Sequence, residues 1–238
     1  MPEVKIEIFS DVACPWCFIG KRRFEAALES FEHRDQVEVE WKSFQLDPTL
    51  PEHDHRTEID YLAETKGIPR EQVTQMLGHV TEQAAAEGLD YDFEALVVAN
   101  SWKAHRVIQR AKADSLETAE RLEEQLFRAH FEGGQDIGSE DVLVQLGTAA
   151  GLTAEQVREA LTEDRWETAV KQDLASARAL GVSGVPFFVL ERKYGISGAQ
   201  PVEVFTQALE QSWAESEPLQ MVQPGGPNGQ ACGPNGCD

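Results

Sequence analysis

The sequence predicts one α/β domain interrupted by a long helical insertion. Three observations predict it: strand, helix and strand patterns fill the first fifty residues; a strand pair and a helix stand near the other end; and roughly 130 residues between them carry helical periodicity without strand signals.

Val4, Ile6 and Ile8 alternate with Lys5 and Glu7, which marks a strand with one buried face running into Phe9, Ser10 and Asp11. After Cys14 the period changes. Pro15 suits a first helical position, where its missing N–H is not needed, and Phe24, Ala27, Leu28 and Phe31 recur at helical spacing. The expected helix spans about Pro15 to Phe31. Val37 to Phe44 restores alternation, so the opening reads as a parallel βαβ unit with a right-handed crossover.

From Thr57 to Leu180 about seven helices are expected. Most of them end at a glycine suited to the left-handed conformation: Gly67, Gly88, Gly133, Gly151 and Gly181. Thr153 to Gln156 reads as a capping box. Val185 to Leu190 is a short apolar strand, "YGISG" is its antiparallel partner, and Pro201 opens a last helix with Phe205, Ala208, Leu209 and Trp213 on one face. Beyond Trp213, residues 215–238 hold five Gly and four Pro and little to bury. The expected division is residues 1–48 and 181–213 as the two parts of the α/β domain, 49–180 as the insertion, and 214–238 as a flexible tail.

Twenty-one Lys and Arg against 42 Asp and Glu give a formal charge of −21, which opposes binding to nucleic acid or an anionic membrane. The opening "MPEVKIEIFSD" lacks the basic and apolar regions of a secretory leader, and no apolar run reaches the roughly 18 residues of a membrane span. A cytoplasmic protein is expected, with nucleic acid and membrane excluded as partners. Four Cys in 238 residues are too few to stand in for a core, and cytoplasmic thiols are kept reduced, so their role is read as chemical.

Cys14-Pro15-Trp16-Cys17 lies where the first strand gives way to the helix. A thiol attacks as its anion, and the unpaired N–H groups and positive dipole end of a helix N-terminus favour an anionic sulfur at Cys14. Cys17, one turn further in, is expected to be more buried and protonated, ready to resolve a mixed disulfide on Cys14. Cys232 and Cys237 form a second pair, whose intervening Gly-Pro-Asn-Gly turns the chain back on itself. A flexible segment from Trp213 to Cys232 reaches roughly 22 to 26 Å, enough to bring this pair to Cys14 of the same molecule. It is read as an auxiliary redox pair exchanging with Cys14 and Cys17 or with external reductants.

The segments "SDVACPWCFIGKRRFE", "AHRVIQRAK", "LFRAHFEGGQDI", "GVSGVPFFVL" and "SGAQPVEVF" resemble the DsbA-type thioredoxin-fold disulfide oxidoreductases, in particular the FrnE-like branch, over residues 4 to about 213. The resemblance implies a thioredoxin fold with a helical insertion. It also implies a cis peptide bond between Val185 and Pro186, packed beside the cysteines and offering backbone to an extended client in strand-addition mode. Pro186 is in any case awkward within a strand. The expected function is thiol-disulfide exchange, as oxidase, reductase or isomerase, on protein thiols and disulfides with small thiols or a thioredoxin-type reductant as partners. Cys14, Cys17 and Pro186 are the catalytic residues, Trp16 and Val185 contact substrate, and no cofactor is required because the sulfurs carry the electrons.

Two other enzyme readings share this split architecture, the kappa-class glutathione transferases and hydroxychromene-carboxylate isomerases, and the retained dithiol disfavours them. A zinc-holding or chaperone-like module is the non-enzymatic alternative, with Pro15 and the helix start arguing for redox chemistry instead. Asp11 is read as a turn former or a proton relay for the pair, and Lys21, Arg22 and Arg23 as a solvated face adding positive potential near Cys14. His105 and His130 are taken as packing or interface residues. His53-Asp54-His55 lies in a charged loop without further ligands nearby, so metal is not assigned there. The long acidic helices face water or a second copy in a homodimer.

Overall fold

The computed structural model describes residues 4–216, together with the backbone of 232–233 and 236–237. Strand β1 (Val4–Ser10) leads into α1 (Pro15–Ser30), and β2 (Val37–Ser43) follows after a short 3-10 turn. Seven helices come next: α2 (Glu58–Lys66), α3 (Arg70–Ala86), α4 (Trp102–Asp114), α5 (Leu116–Phe131), α6 (Glu140–Ala150), α7 (Ala154–Thr162) and α8 (Asp164–Ala179). Then β3 (Phe187–Leu190), β4 (Tyr194–Ser197) and α9 (Val202–Ser216) return the chain to the sheet.

The sheet has the order β2-β1-β3-β4. β1 runs parallel to β2, with Val4 opposite Val37, and antiparallel to β3, with Ile8 opposite Phe188; β3 and β4 are antiparallel. Strands from the two ends of the sequence are therefore hydrogen-bonded neighbours, and the seven helices leave the sheet after β2 and return to it at β3. The β3–β4 turn places Glu191 and Arg192 at positive φ without glycine, and Arg192 forms a two-pronged pair with buried Glu7 at 2.8 and 2.9 Å. Such a bidentate pair offsets the backbone cost of the turn.

Local chemistry accounts for most helix boundaries. Thr57 caps α2, Ser115 caps α5, and Thr153 with Gln156 closes the expected capping box on α7. Gly67, Gly88, Gly151 and Gly181 take positive φ as expected, but Gly133 does not; Gly134 does, at φ 57°. The reason is that Glu132 and Gly133 both still donate to the Arg128 carbonyl, so the helix runs one residue further before it turns. A Cβ at Gly134 would also lie 2.7 Å from the Ala95 carbonyl oxygen. The strand expected from Val185 starts at Phe187, because Pro186 has no N–H to give to a ladder.

Two large cores share α1. Phe24, Ala27 and Phe31 of its second half pack with the sheet and α9, where the rings of Phe24, Phe188 and Phe205 lie 4.6 to 5.8 Å apart. Cys17, Phe18 and Ile19 of its first half sit in the core of α3 to α7, with Phe18 stacked on Phe127 at 4.9 Å. Each fully buried aromatic contributes about 1.5 to 3 kcal/mol by removal from water. Among the described residues, no helix is long and apolar enough to cross a membrane.

Candidate active site

The site is assembled where β1 ends. Asp11 turns the chain: its carbonyl accepts the Cys14 N–H at 2.9 Å and its carboxylate accepts the Ala13 N–H at 3.1 Å. Cys14 is then the N-cap of α1 in extended conformation, with Pro15 at the first helical position, as the sequence predicts. Both thiols are free and buried, Cys14 at 5% exposure and Cys17 at 0%. The difference decides which sulfur a partner reaches. Burial, and after it the adjacent Cys14, pushes the Cys17 thiol well above the usual thiol range.

The loop before β3 supplies the opposite wall. Val185 is joined to Pro186 by a cis peptide bond, and the Val185 carbonyl lies 3.7 Å from the Cys14 sulfur, which donates to it. Pro186 packs onto α1 at Gly20, where a Cβ would lie 2.9 Å from the proline Cγ. Gly20 thus sets how closely Pro186 approaches the cysteine helix, and the sequence reading missed it, since a lone glycine in a helical pattern gives no sign of what it faces. Trp16 is half-buried, packed against the helical core with its ring 6.2 Å from His79 of α3. Tyr91, also missed, donates its hydroxyl to the Pro15 carbonyl at 2.7 Å. Burial, followed by the two cysteines, keeps that hydroxyl protonated.

Behind the cysteines the core is polar. Asp11 is 1% exposed; besides Ala13 it accepts the Leu46 N–H at 2.8 Å and meets His105 Nε2 at 3.3 Å. Burial opposes its ionisation, yet His105 and the two N–H groups hold the carboxyl below the usual range. Asp11 therefore both forms the turn and carries charge beside the pair. His105 is its buried partner rather than an interface residue. Glu123, from α5, is 2% exposed and pushed up to about 8 by burial, against the pull of Lys21. The buried atoms Glu123 Oε2 and Ser10 Oγ have no hydrogen-bond partner among the described residues. Helical periodicity places Glu123 near the buried stripe but says nothing of its neighbours.

Lys21, Arg22 and Arg23 do not form a solvated face. Lys21 is 3% exposed and paired with Glu25 and Glu124; Arg22 is held by the same two carboxylates; Arg23 is held by Glu87, Gln83 and the Ala199 carbonyl. Their charge is neutralised locally, because Glu25 of α1 itself, Glu124 of α5 and Glu87 just past the end of α3 bring carboxylates to this side of α1. Asp54 of the His53-Asp54-His55 loop pairs with Arg56.

Cys232 and Cys237 are cross-strand backbone partners in a two-residue ladder, β5 (Cys232–Gly233) with β6 (Gly236–Cys237). The auxiliary redox role read for their side chains, like the rest of the 217–238 tail, lies outside the described residues.

A cleft of about 480 Å³ opens beside Cys14, Pro15 and Trp16. Its far wall comes from α2 and α3 and from the segment after β2, and His130 of α5 lies in its lining.

Comparisons with known proteins place the fold. A probable DsbA oxidoreductase of Streptomyces coelicolor superposes with a TM-score of 0.85 at 41% identity, over 99% of this chain and 98% of that one. The Bacillus subtilis protein YwbO is 28% identical over 211 residues, covering 87% of this chain and 96% of its own. The cytosolic disulfide reductase DsbM of Pseudomonas aeruginosa, solved with glutathione, shares the fold at a TM-score of 0.63 and 20% identity, over 88% of this chain and 99% of that one. The model of the DSBA-like thioredoxin domain matches residues 5–210, and the chain belongs to that family.

Proposed function

We propose that the protein is a thiol-disulfide oxidoreductase acting through Cys14 and Cys17. The observation that carries the reading is the asymmetry of the pair: Cys14 stands at the N-cap of a helix, beside the Val185 carbonyl and the cleft, and Cys17 lies fully buried one turn behind it with its thiol pushed above the usual range. In the reductive direction the Cys14 thiolate attacks a client disulfide, one client sulfur leaves as a thiol, and a mixed disulfide forms. Cys17 gives up its proton and attacks the Cys14 sulfur, releasing the second client thiol. The enzyme pair has lost two electrons and the client has gained them.

Val185 and Pro186 line the face where an extended client segment docks, with Trp16 on its other side. The S. coelicolor neighbour, named as a probable DsbA oxidoreductase, supports disulfide chemistry, and DsbM, named as a cytosolic disulfide reductase, supports a reductase of the cytoplasm; the FrnE-like branch and an isomerase activity rest on the sequence resemblance. Residues 1–48 and 181–213 then act as the redox domain, 49–180 as the inserted helical domain that completes the site, and Cys232 with Cys237 as an auxiliary pair. A thioredoxin-type reductant or a small thiol restores the dithiol.

The test is turnover of insulin disulfides with dithiothreitol as electron source. Cys14→Ser is expected to reduce the rate to the uncatalysed background, and Cys17→Ser to accumulate a mixed disulfide on Cys14 that mass spectrometry detects. Turnover by Cys14→Ser equal to that of the parent protein would overturn the assignment.

A further inference from the structure

The cleft beside Cys14 has an apolar floor in which Leu77 and Val80 are buried, joined by Leu62 and Met76. Its charged lining is one-sided. Asp11, Asp47 and Glu58 contribute carboxylates, and among the described lining residues Lys66, exposed at the end of α2, is the single cation. Asp47 accepts from the Thr49 N–H and hydroxyl and from the Tyr61 hydroxyl at 3.0 Å, all neutral donors that leave its charge uncompensated. Glu58 has no ion pair or hydrogen bond among the described residues, and burial, against the pull of Lys66, pushes it up to about 7, so its negative charge grows as pH rises through that value. His130 adds no charge, since burial lowers it to about 4. It is 3% exposed and its Nδ1 has no partner among the described residues, which leaves a neutral hydrogen-bonding atom in the lining. Arg56, whose guanidinium lies 5.2 Å from the Tyr61 ring, is paired with Asp54 and Glu64, and Lys21, Arg22 and Arg23, the cations that follow Cys14 in sequence, are likewise held by carboxylates.

We infer that this cleft makes Cys14 select disulfides with apolar, cationic flanking groups over anionic ones of the glutathione type. The inference rests on the proposed exchange chemistry and names its substrate class. An anionic disulfide brings like charges together beside a low-dielectric wall, whereas a cationic one gains attraction there and buries its apolar portion on Leu62, Met76 and Leu77. The reaction is the same two-electron exchange: the Cys14 and Cys17 dithiol becomes a disulfide, and the added disulfide is released as two thiols that carry the two protons.

The experiment oxidises the reduced full-length protein at pH 8 and low ionic strength with cystamine, bis(2-hydroxyethyl) disulfide or glutathione disulfide. Each rate is divided by that of a free small thiol with the same disulfide. The normalised order is expected to be cationic, then neutral, then anionic, with about a three- to ten-fold step between successive members. Glu58→Gln compresses the cationic-to-anionic ratio about three-fold, Glu58→Lys compresses it further, and Glu155→Gln, on the exposed face of α7, leaves it unchanged. Raising the salt to about 1 M shrinks the ratio towards one in the unaltered protein, because the screening length falls to about 3 Å. Cystine peptides flanked by leucine outrun those flanked by glycine. Exchange with all three reagents at a flat ratio, or a ratio indifferent to salt and to Glu58, overturns the inference and leaves the proposed function standing. Exchange with none of them overturns both.

Discussion

Helix α1 passes through two cores that are built differently. Its second half, from Phe24 to Phe31, meets the sheet and α9 in an interior of aromatic and aliphatic side chains in which the buried polar residue of α9 is the uncharged Ser212. Its first half, from Cys17 to Ile19, meets helices α3 to α7 in an interior that also encloses Asp11, His105, Glu123 and His130. Burying such groups costs free energy unless each is paired, and a core optimised for stability alone would exclude them. They gather at the end of the helix that bears the thiols. The sheet half provides a rigid mount, while the helical half provides the electrostatic surroundings of the cysteines. The contrast also explains how one turn of helix separates sulfurs of different character: Cys14 faces the cleft, and Cys17 faces the polar interior.

The largest expected effects come from emptying each core in turn. Phe188→Ala and Phe127→Ala should each lower the free energy of unfolding by about 3 to 5 kcal/mol, measured by urea denaturation. They should differ at the thiols. Phe127 stacks on Phe18, the neighbour of Cys17, so its removal is expected to speed alkylation of Cys17 in the reduced native protein, whereas Phe188→Ala leaves that rate unchanged. Equal effects on Cys17 would erase the distinction between the two cores.

Glu123→Gln tests the polar interior through pH. The folded carboxyl is raised from 4.5 to about 8, so the native state holds a proton that the unfolded chain releases, and stability falls as pH rises across that window. The amide cannot ionise and escapes this penalty. The variant should match the parent near pH 5 and exceed it by up to a few kcal/mol near pH 8, since a tenfold change in proton affinity corresponds to about 1.4 kcal/mol. A difference independent of pH would place Glu123 in contact with water.

Gly20→Ala gives the smallest change in stability, about 1 to 3 kcal/mol, because the new methyl must push α1 and Pro186 apart. Its value lies in selectivity. Exchange with a peptide disulfide should slow more than exchange with bis(2-hydroxyethyl) disulfide if, as proposed, only the peptide docks on the Val185–Pro186 wall. Equal slowing would mean that the methyl acts on Cys14 itself.

Much of the site was legible because its parts are local in sequence. Two thiols three residues apart, a proline at the first helical position and a preceding alternating strand fix Cys14 at a helix cap whatever the remainder of the chain does. Pro186 betrayed itself by standing where a strand cannot use it. Asp11 could be placed at the turn, but not in the pair with His105. The error over Lys21, Arg22 and Arg23 has the same origin, for a run of cations looks exposed until the carboxylates of another helix are brought against it.

By itself, then, the sequence determined the order of strands and helical segments, several of the caps that bound them, among them Gly67, Gly151 and the Thr153–Gln156 box, and the position of the thiols at a helix start, since all three follow from backbone preferences over a few neighbouring residues. The tertiary structure alone decided which carboxylates surround those thiols, that Glu123 is enclosed while Glu58 faces a cleft, and how near Pro186 lies to Gly20. Periodicity states that a face is buried; only packing between segments far apart in the chain selects the atoms it is buried against, and electrostatics depends on those atoms.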